Sequence, residues 1–175
     1  MHPLMSAHPP AFDEPTPLGE TDTLFLRQAI AWACTARARG NHPFGAVIAG
    51  ADGMLLAEAY CTTTESGDPT GHAEMNALRQ LGRHLTQEAR AHATLYTSAE
   101  PCAMCAAAIF WNGIGRVVFG IDTPRLRSLR HTRHALRGLD LSCRDVLATA
   151  THPVECLGPA LLDESSAPHT GFWSA

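Results

Sequence analysis

Two short motifs hold the residue types that could carry chemistry: His72-Ala-Glu74 and Pro101-Cys-Ala-Met-Cys105. One imidazole and two thiols suit zinc in softness and in number. Because three protein ligands leave one tetrahedral position open for water, this set is typical of a catalytic rather than a structural zinc site. Either motif alone is weak, since a Cys-x-x-Cys can also be a redox pair or two buried thiols. Together they predict that His72, Cys102 and Cys105 bind Zn²⁺.

Glu74 is predicted to act beside the metal rather than to bind it. It stands two residues after His72, so both side chains can reach one cavity only if they lie in the first turn of a helix. A carboxylate in that place can take a proton from water and pass it to a ring nitrogen and then to a leaving amine. An exposed first-turn Glu that complements the helix dipole is the alternative interpretation.

The composition excludes several other chemistries. The chain has 175 residues, and all thirteen of its Lys+Arg residues are arginine. A Schiff-base enzyme, a phosphate loop ending in Gly-Lys-Ser/Thr and a protein kinase each need a lysine amine, so these classes are excluded. The formal net charge of -4 argues against a general polyanion binder and favours a small neutral substrate over a nucleic acid.

Length and patterning predict one intracellular domain. The chain is long enough for one well-packed core and short for two. Its start lacks the charged and apolar regions of a signal peptide, and no later stretch has the length of a membrane span. We therefore expect a cytoplasmic protein with no membrane partner. In such a chain, six cysteines indicate metal binding or burial rather than disulfides.

The elements around the two motifs follow an α/β order. A hairpin is followed by a helix that begins directly after His72, then by a strand, a helix that begins at Pro101, and a further strand. This order predicts a three-layer α-β-α sandwich with a central mixed sheet, an antiparallel opening hairpin and flanking helices. The predicted helices are 21–40, 73–84, 101–111, 124–134 and 159–166, and the predicted strands are 44–49, 54–59, 94–97, 116–120 and 153–157.

The two ends of the chain differ from the middle. Residues 1–19 hold five prolines and little apolar periodicity, so we expect a mobile tail before a single zinc-binding domain that spans 20–175. The last segment, 159–175, carries Phe172 and Trp173 in a chain poor in aromatic residues. It either covers the substrate and excludes water or packs back onto the surface as an amphipathic tail.

The chain resembles the zinc-dependent nucleobase and nucleoside deaminases of the cytidine-deaminase-like superfamily, and within them it is most similar to the bacterial guanine deaminases. The His-x-Glu and Pro-Cys-x-x-Cys pair is their signature, and the similarity extends from about Leu24 to Asp122. The resemblance implies a homodimer that releases ammonia from a small heterocycle, with guanine as the first choice. Cytosine, an aminotriazine and a nucleoside are alternative substrates. A tRNA adenosine deaminase and a non-catalytic zinc scaffold are alternative functions.

The resemblance also implies substrate contacts. Backbone N–H groups around Ala73 and Cys102 would hold the substrate, and Phe44 would stack on the base unless it is simply core. Cys61 occupies the position at which the family commonly has an Asn that contacts the base. Asn41 either lines the mouth of the site or ends the first helix.

Guanine deaminases resemble one another in a second acidic residue after the fourth strand. This chain has no acid there until Asp140, and His134 could replace it as a proton carrier near neutral pH. Six arginines, the first Arg125 and the last Arg144, fall in the same segment. They could contact phosphates, but the acidic surroundings favour a solvated helix face.

Overall fold

Five strands form one mixed sheet in a computed structural model that describes residues 13–82, 85–130 and 139–173. The strands are β1 (Gly45–Ala49), β2 (Leu55–Tyr60), β3 (Thr94–Ala99), β4 (Arg116–Ile121) and β5 (Glu155–Leu157). Their order across the sheet is β2-β1-β3-β4-β5. β1 is antiparallel to both β2 and β3, whereas β3, β4 and β5 run parallel.

Helices cover both faces of this sheet. The described residues form α1 (Glu20–Ala38), α2 (Thr63–Ser66), α3 (Ala73–Gln80), α4 (Gln87–Ala91), α5 (Ala103–Trp111), α6 (Thr123–Leu129), α7 (Cys143–Ala148) and α8 (Leu162–Ser166), with a 3-10 turn at Ala167–His169. Among these described helices, none combines the length and the apolar content needed to cross a membrane.

Successive side chains of β1 point to opposite faces of the sheet and so contribute to two different layers of the core. Val47 points to the face where Leu26 and Ile30 of α1 are packed, whereas Ile48 points to the face covered by α3 and α5, which contribute Leu78 and Ile109. Every residue of β1 is buried, as expected for a strand with helices on both sides. The predicted three-layer α-β-α sandwich with its antiparallel opening hairpin is confirmed.

Gly45 fixes how closely α1 lies over the start of β1. A Cβ atom added at Gly45 would lie 2.2 Å from the carbonyl oxygen of Ala29. The Gly45 backbone N–H also donates to Ser98 Oγ at 3.1 Å, which ties β1 to β3. A larger residue would therefore push α1 away from the strand that leads into the site.

Three short helices, α2, α4 and α7, were not predicted. They have four to six residues each, too few for an apolar period to show. Thr86 and Ser142 cap α4 and α7 with their side chains. The helix predicted over 73–84 ends earlier, at Gln80.

The predicted mobile tail falls partly outside the described residues, because residues 1–12 are not described. Within the part that is described, the Thr16 backbone N–H donates to the carbonyl oxygen of Pro159 at 2.7 Å. Asp13 accepts a hydrogen bond from Arg125 on its backbone oxygen. Asp13 and Thr16 therefore contact the domain.

Candidate active site

The sheet brings the two motifs to one edge. β3 and β4 are parallel, so their carboxyl ends lie together, and β3 leads into the loop that carries Cys102. β1 is antiparallel to β3, so the start of β1, beside Phe44, lies at the same edge. The end of β2, beside Cys61, is there for the same reason. Residues distant in the sequence therefore meet at one edge of the sheet.

Two helix starts hold the three predicted metal ligands. His72 and Cys102 are the N-cap residues of α3 and α5, and Cys105 lies one turn into α5. His72 Nδ1 is 3.6 Å from Cys102 Sγ and 3.5 Å from Cys105 Sγ. All three ligand atoms lie within 4.8 Å of one another. This group of residues could hold one metal ion.

The donor set and its spacing fit zinc. Zn–S bonds of about 2.3 Å and Zn–N bonds of about 2.05 Å at a tetrahedral angle separate sulfur from nitrogen by about 3.6 Å. The two observed sulfur–nitrogen distances agree with this value. The described residues offer three ligands in this group, as in a catalytic zinc site.

Hydrogen bonds within the ligand group leave one thiol ready to ionise. The bond from the Cys105 thiol, followed by the one from His72, lowers the pKa of Cys102 to about 4. The same bond raises the pKa of Cys105, and burial raises it further. The hydrogen bond with Cys102 also raises the pKa of His72. Zinc binding would therefore release protons held by Cys105 and His72.

Glu74 lies in the first turn of α3 and lines the cavity next to the ligand group. Its side chain is almost fully buried, and Oε1 accepts a hydrogen bond from Thr97 Oγ1 at 3.3 Å. Burial raises the pKa of Glu74 above its usual range, and the charge of Cys102 adds to the effect. The exposed first-turn Glu considered from the sequence is therefore wrong. A carboxyl group with a raised pKa can both accept and return a proton.

A cavity of about 270 Å³ opens above the ligand group. Three of the predicted substrate contacts line it: Phe44, Cys61 and Trp173. Cys61 is buried, and this burial raises the pKa of its thiol. Trp173 is only 7% exposed, so its ring packs into the protein instead of lying on the surface. The cavity is thus lined by aromatic side chains and by the ionisable side chains of His72, Glu74 and Cys102.

Other predicted contacts lie away from this cavity. Asn41 is buried, and its amide oxygen accepts hydrogen bonds from the backbone N–H groups of Thr64 and Glu65, so it holds the start of α2. Phe172 packs against His42 and below Arg37 rather than in the cavity wall.

Asp140, one of the two predicted proton carriers, is not brought into the cavity either. The Asp140 side chain is 91% exposed and pairs with Arg127 at 2.7 Å, which leaves the carboxylate in solvent. His134 lies outside the described residues. Ala73 is the first residue of α3 and its side chain is buried.

Sequence reasoning missed Glu100 and Arg130, which both line the cavity. Glu100 accepts hydrogen bonds from the backbone N–H groups of Thr123 and Cys143, at 2.9 and 3.1 Å. It ties together three segments around the site, and its position directly before Pro101 was the available signal. Arg130 stacks its guanidinium 4.3 Å from the centroid of Trp173. The interpretation of the arginines as a solvated helix face is therefore wrong for Arg130.

His169 supports the wall that Trp173 forms. The two rings stack with an interplanar angle of 8°, and His169 is completely buried. Neither of its ring nitrogens has a hydrogen-bond partner among the described residues. Burial, together with the charges of Arg130 and Arg37, lowers the pKa of His169 to about 3. The ring is therefore neutral in the folded protein at ordinary pH.

Stability is expected to fall in acid because of His169. Its pKa is about 3 in the folded chain but about 6.5 in an unfolded one. Between these values only the unfolded state binds the proton, so the free energy of unfolding decreases as the pH is lowered from 6.5 toward 3. Relative to a His169→Phe variant, the parent should lose about 2 kcal/mol between pH 7 and pH 5. Urea unfolding of both proteins across this range measures the difference, and parallel curves would contradict it.

The fold and this site together define a zinc-dependent hydrolytic deaminase. Residues 19–121 match the family model of the cytidine and deoxycytidylate deaminase zinc-binding region. The chain therefore belongs to this family, and zinc is its cofactor. The resemblance to the zinc deaminases that the two motifs predicted is confirmed.

The relatives differ in how much of the chain they match. A probable cytosine deaminase of Schizosaccharomyces pombe is 40% identical over 90% of this chain and 96% of its own. The guanine deaminase of Bacillus subtilis is 44% identical over 50% of this chain and 56% of its own. A solved structure from studies of A-to-I editing by tRNA:A34 deaminases is 29% identical, with a TM-score of 0.67 over 83% of this chain and 99% of that one. The chain is thus a deaminase of a nucleobase, a nucleoside or a tRNA base.

Proposed function

We propose that this chain deaminates a free nucleobase, with cytosine as the first substrate, and releases ammonia. The observation that carries the proposal is the position of Trp173, buried in the wall of a cavity that also contains Glu74. Leu139 and Leu141 line the same cavity. The cavity volume of about 270 Å³ lies near the small end of ligand pockets, which suits a single flat ring system.

In the proposed reaction, the described residues bind the metal, transfer the protons and position the ring. His72, Cys102 and Cys105 would hold zinc, which when bound makes water a nucleophile at neutral pH. Glu74 takes the proton from the attacking water and passes it to a ring nitrogen of the substrate. It then takes the remaining proton of that water from the newly added hydroxyl group and delivers it to the amino group, which leaves as ammonia while the ring carbonyl forms. Phe44 offers an aromatic face on which the ring can lie.

Cytosine is placed ahead of guanine because of the segments beyond residue 121. Arg130 and Trp173 line the cavity but lie outside the residues matched by the family model. The match to the probable cytosine deaminase extends over 90% of the chain, whereas the match to the guanine deaminase extends over 50%. Cys61 stands where the family commonly has an Asn that contacts the base, so this position does not separate cytosine from guanine.

Guanine, the first choice from the sequence, is the second candidate. The guanine deaminase of Bacillus subtilis is 44% identical over 88 residues. The tRNA adenosine deaminase is less favoured, because a flipped base must enter with its backbone attached. The buried Trp173 and the net charge of -4 both oppose such an approach. The homodimer and the cytoplasmic location stay predictions.

An ammonia-release screen of the zinc-loaded protein tests the substrate. Cytosine should give the highest kcat/KM, about tenfold above guanine and cytidine, since the added ring of guanine and the added sugar of cytidine strain a cavity of this size. An anticodon stem-loop RNA should give no ammonia. Activity on guanine alone would favour the second candidate. Activity on RNA alone, with a steep loss in salt, would contradict the free-base proposal.

A Trp173→Ala variant distinguishes the contribution of the C-terminal segment to substrate binding from any contribution to the catalytic step. Loss of the aromatic wall should raise the KM for the base about tenfold while kcat changes little, because Trp173 contacts the substrate and not the reacting atoms. An unchanged KM would contradict the covering role of the C-terminal segment.

A further inference from the structure

Two thiols lie in contact outside the zinc site. Cys143, at the start of α7, and Cys156, in the middle of β5, have their Sγ atoms 3.4 Å apart. The Sγ atoms of a disulfide are about 2.05 Å apart, so the two must approach by only roughly 1.4 Å to bond. Both cysteines are in the reduced form in this structure.

The two thiols differ in access. Cys143 is completely buried, whereas Cys156 is partly exposed and lines a cleft of about 520 Å³ between α7 and the loop before β5. Thr151 and Pro153, which also line the cleft, are exposed. A small reagent in the cleft can therefore reach Cys156 first, with Cys143 behind it.

The surroundings of the two thiols also shift their pKa values in opposite directions. The hydrogen bond from Cys143, followed by the positive charge of Arg144, lowers the pKa of Cys156. The same hydrogen bond and burial raise the pKa of Cys143. Arg144 is fixed beside them, because it donates to the carbonyl oxygen of Gly158 and lies 5.1 Å from the ring centroid of Phe119. The accessible thiol is therefore the one that ionises more readily, and the thiolate is the reactive form.

We propose that Cys143 and Cys156 form a redox-active thiol pair that reacts with low-molecular-weight disulfides. The Cys156 thiolate attacks one sulfur of the reagent, which forms a mixed disulfide and releases one thiolate. Cys143 then loses its proton and attacks Cys156 Sγ, which forms the protein disulfide and releases the second thiolate. The two thiolates take up the two protons of the pair. The protein is oxidised by two electrons, and the reagent is reduced to two thiols.

The bond would join α7 to β5, and both elements connect to residues that line the active cavity. Cys143 donates its backbone N–H to Glu100, which lines that cavity. β5 leads into the segment that ends at Trp173. The pair spans 13 residues, and closing a loop of this size removes freedom mainly from the unfolded chain. The oxidised protein should therefore unfold at a higher temperature.

Tryptic mapping of the full zinc-loaded chain detects the bond. Since the chain lacks lysine, trypsin cleaves only after arginine, so Cys143 falls in peptide 138–144 and Cys156 in peptide 145–175. After treatment with oxidised glutathione and without reductant, we expect these two peptides to be linked. The Tm should rise by roughly 5 °C, and dithiothreitol should reverse both changes. The zinc content should stay constant.

Three variants test whether the linkage depends on Cys143 and Cys156 rather than on another cysteine. Cys156→Ser should give neither the linked peptides nor the rise in Tm. Cys143→Ala should trap glutathione on peptide 145–175, because no second thiol is present to resolve it. The exposed Cys34 is the matched control, and Cys34→Ser should keep the linkage. Recovery of 138–144 and 145–175 as separate, unmodified peptides, with glutathione only on Cys34, would overturn the proposal.

Discussion

Replacement of Glu74 by Gln is expected to lower kcat by about a thousandfold or more while the zinc content stays at that of the parent. Gln keeps the shape of the side chain and can still accept the hydrogen bond from Thr97, but it cannot take and return a proton. The ligand group of His72, Cys102 and Cys105 is untouched. The measurement is a parallel determination of ammonia release and of bound zinc per chain.

The stability of this variant distinguishes a lost proton carrier from a damaged fold. Glu74 is almost fully buried, and its charged form is disfavoured by burial. A neutral amide removes that cost, so the Tm of Glu74→Gln should not fall. Glu88→Gln is the matched control, since Glu88 is exposed on α4 and should keep full activity. Parental kcat in the Glu74 variant would contradict the proton-transfer role.

The zinc group could be predicted from sequence because its signal is local and chemical. His72 and Cys102 each follow a turn or strand and begin a helix, and the structure places both at helix N-caps. Two thiolates and one imidazole form a ligand set that is typical of zinc. The residue types therefore narrowed the choice of metal. The two motifs meet because the end of β2 and the end of β3 lie at the same edge of the sheet.

The walls of the cavity could not be predicted, because they depend on contacts between distant segments. Arg130 is one of many arginines in its segment, and its packing on Trp173 and Phe44 joins segments that are distant in the sequence. The role of Asn41 depends on α2, which begins more than twenty residues later and has no periodic pattern of its own. An amide that caps a distant helix and one that ends its own helix look the same in the sequence.

The sheet was predicted more accurately than the helices after β4. β1 and β3 have every residue buried and are rich in strand-forming side chains, so their composition is distinctive. α7, by contrast, has six residues and depends on Ser142 and on the Glu100 contact with Cys143. Elements fixed by tertiary contacts leave little local signal.

Replacement of Cys105 by Ala is expected to abolish zinc binding and, with it, all deaminase activity above background. Cys105 is completely buried and lies 3.5 Å from His72 Nδ1. With two remaining ligands, the site falls below the three protein ligands that catalytic zinc sites use. Atomic absorption on the dialysed protein measures the bound metal. Since the site is at the edge of the sheet and not in its core, the chain should still fold.

Cys61→Ala is the matched control for this loss. Cys61 is also a buried thiol and lines the cavity above the ligand group, but it is not a member of the three-ligand group. Its removal should leave the bound zinc at the parental level and change only the preference among bases. If instead Cys105→Ala kept its zinc while Cys61→Ala lost it, the ligand set would have to be reassigned. Because both residues are buried thiols, burial alone does not explain a difference in metal content between the two variants, whereas direct coordination by Cys105 does.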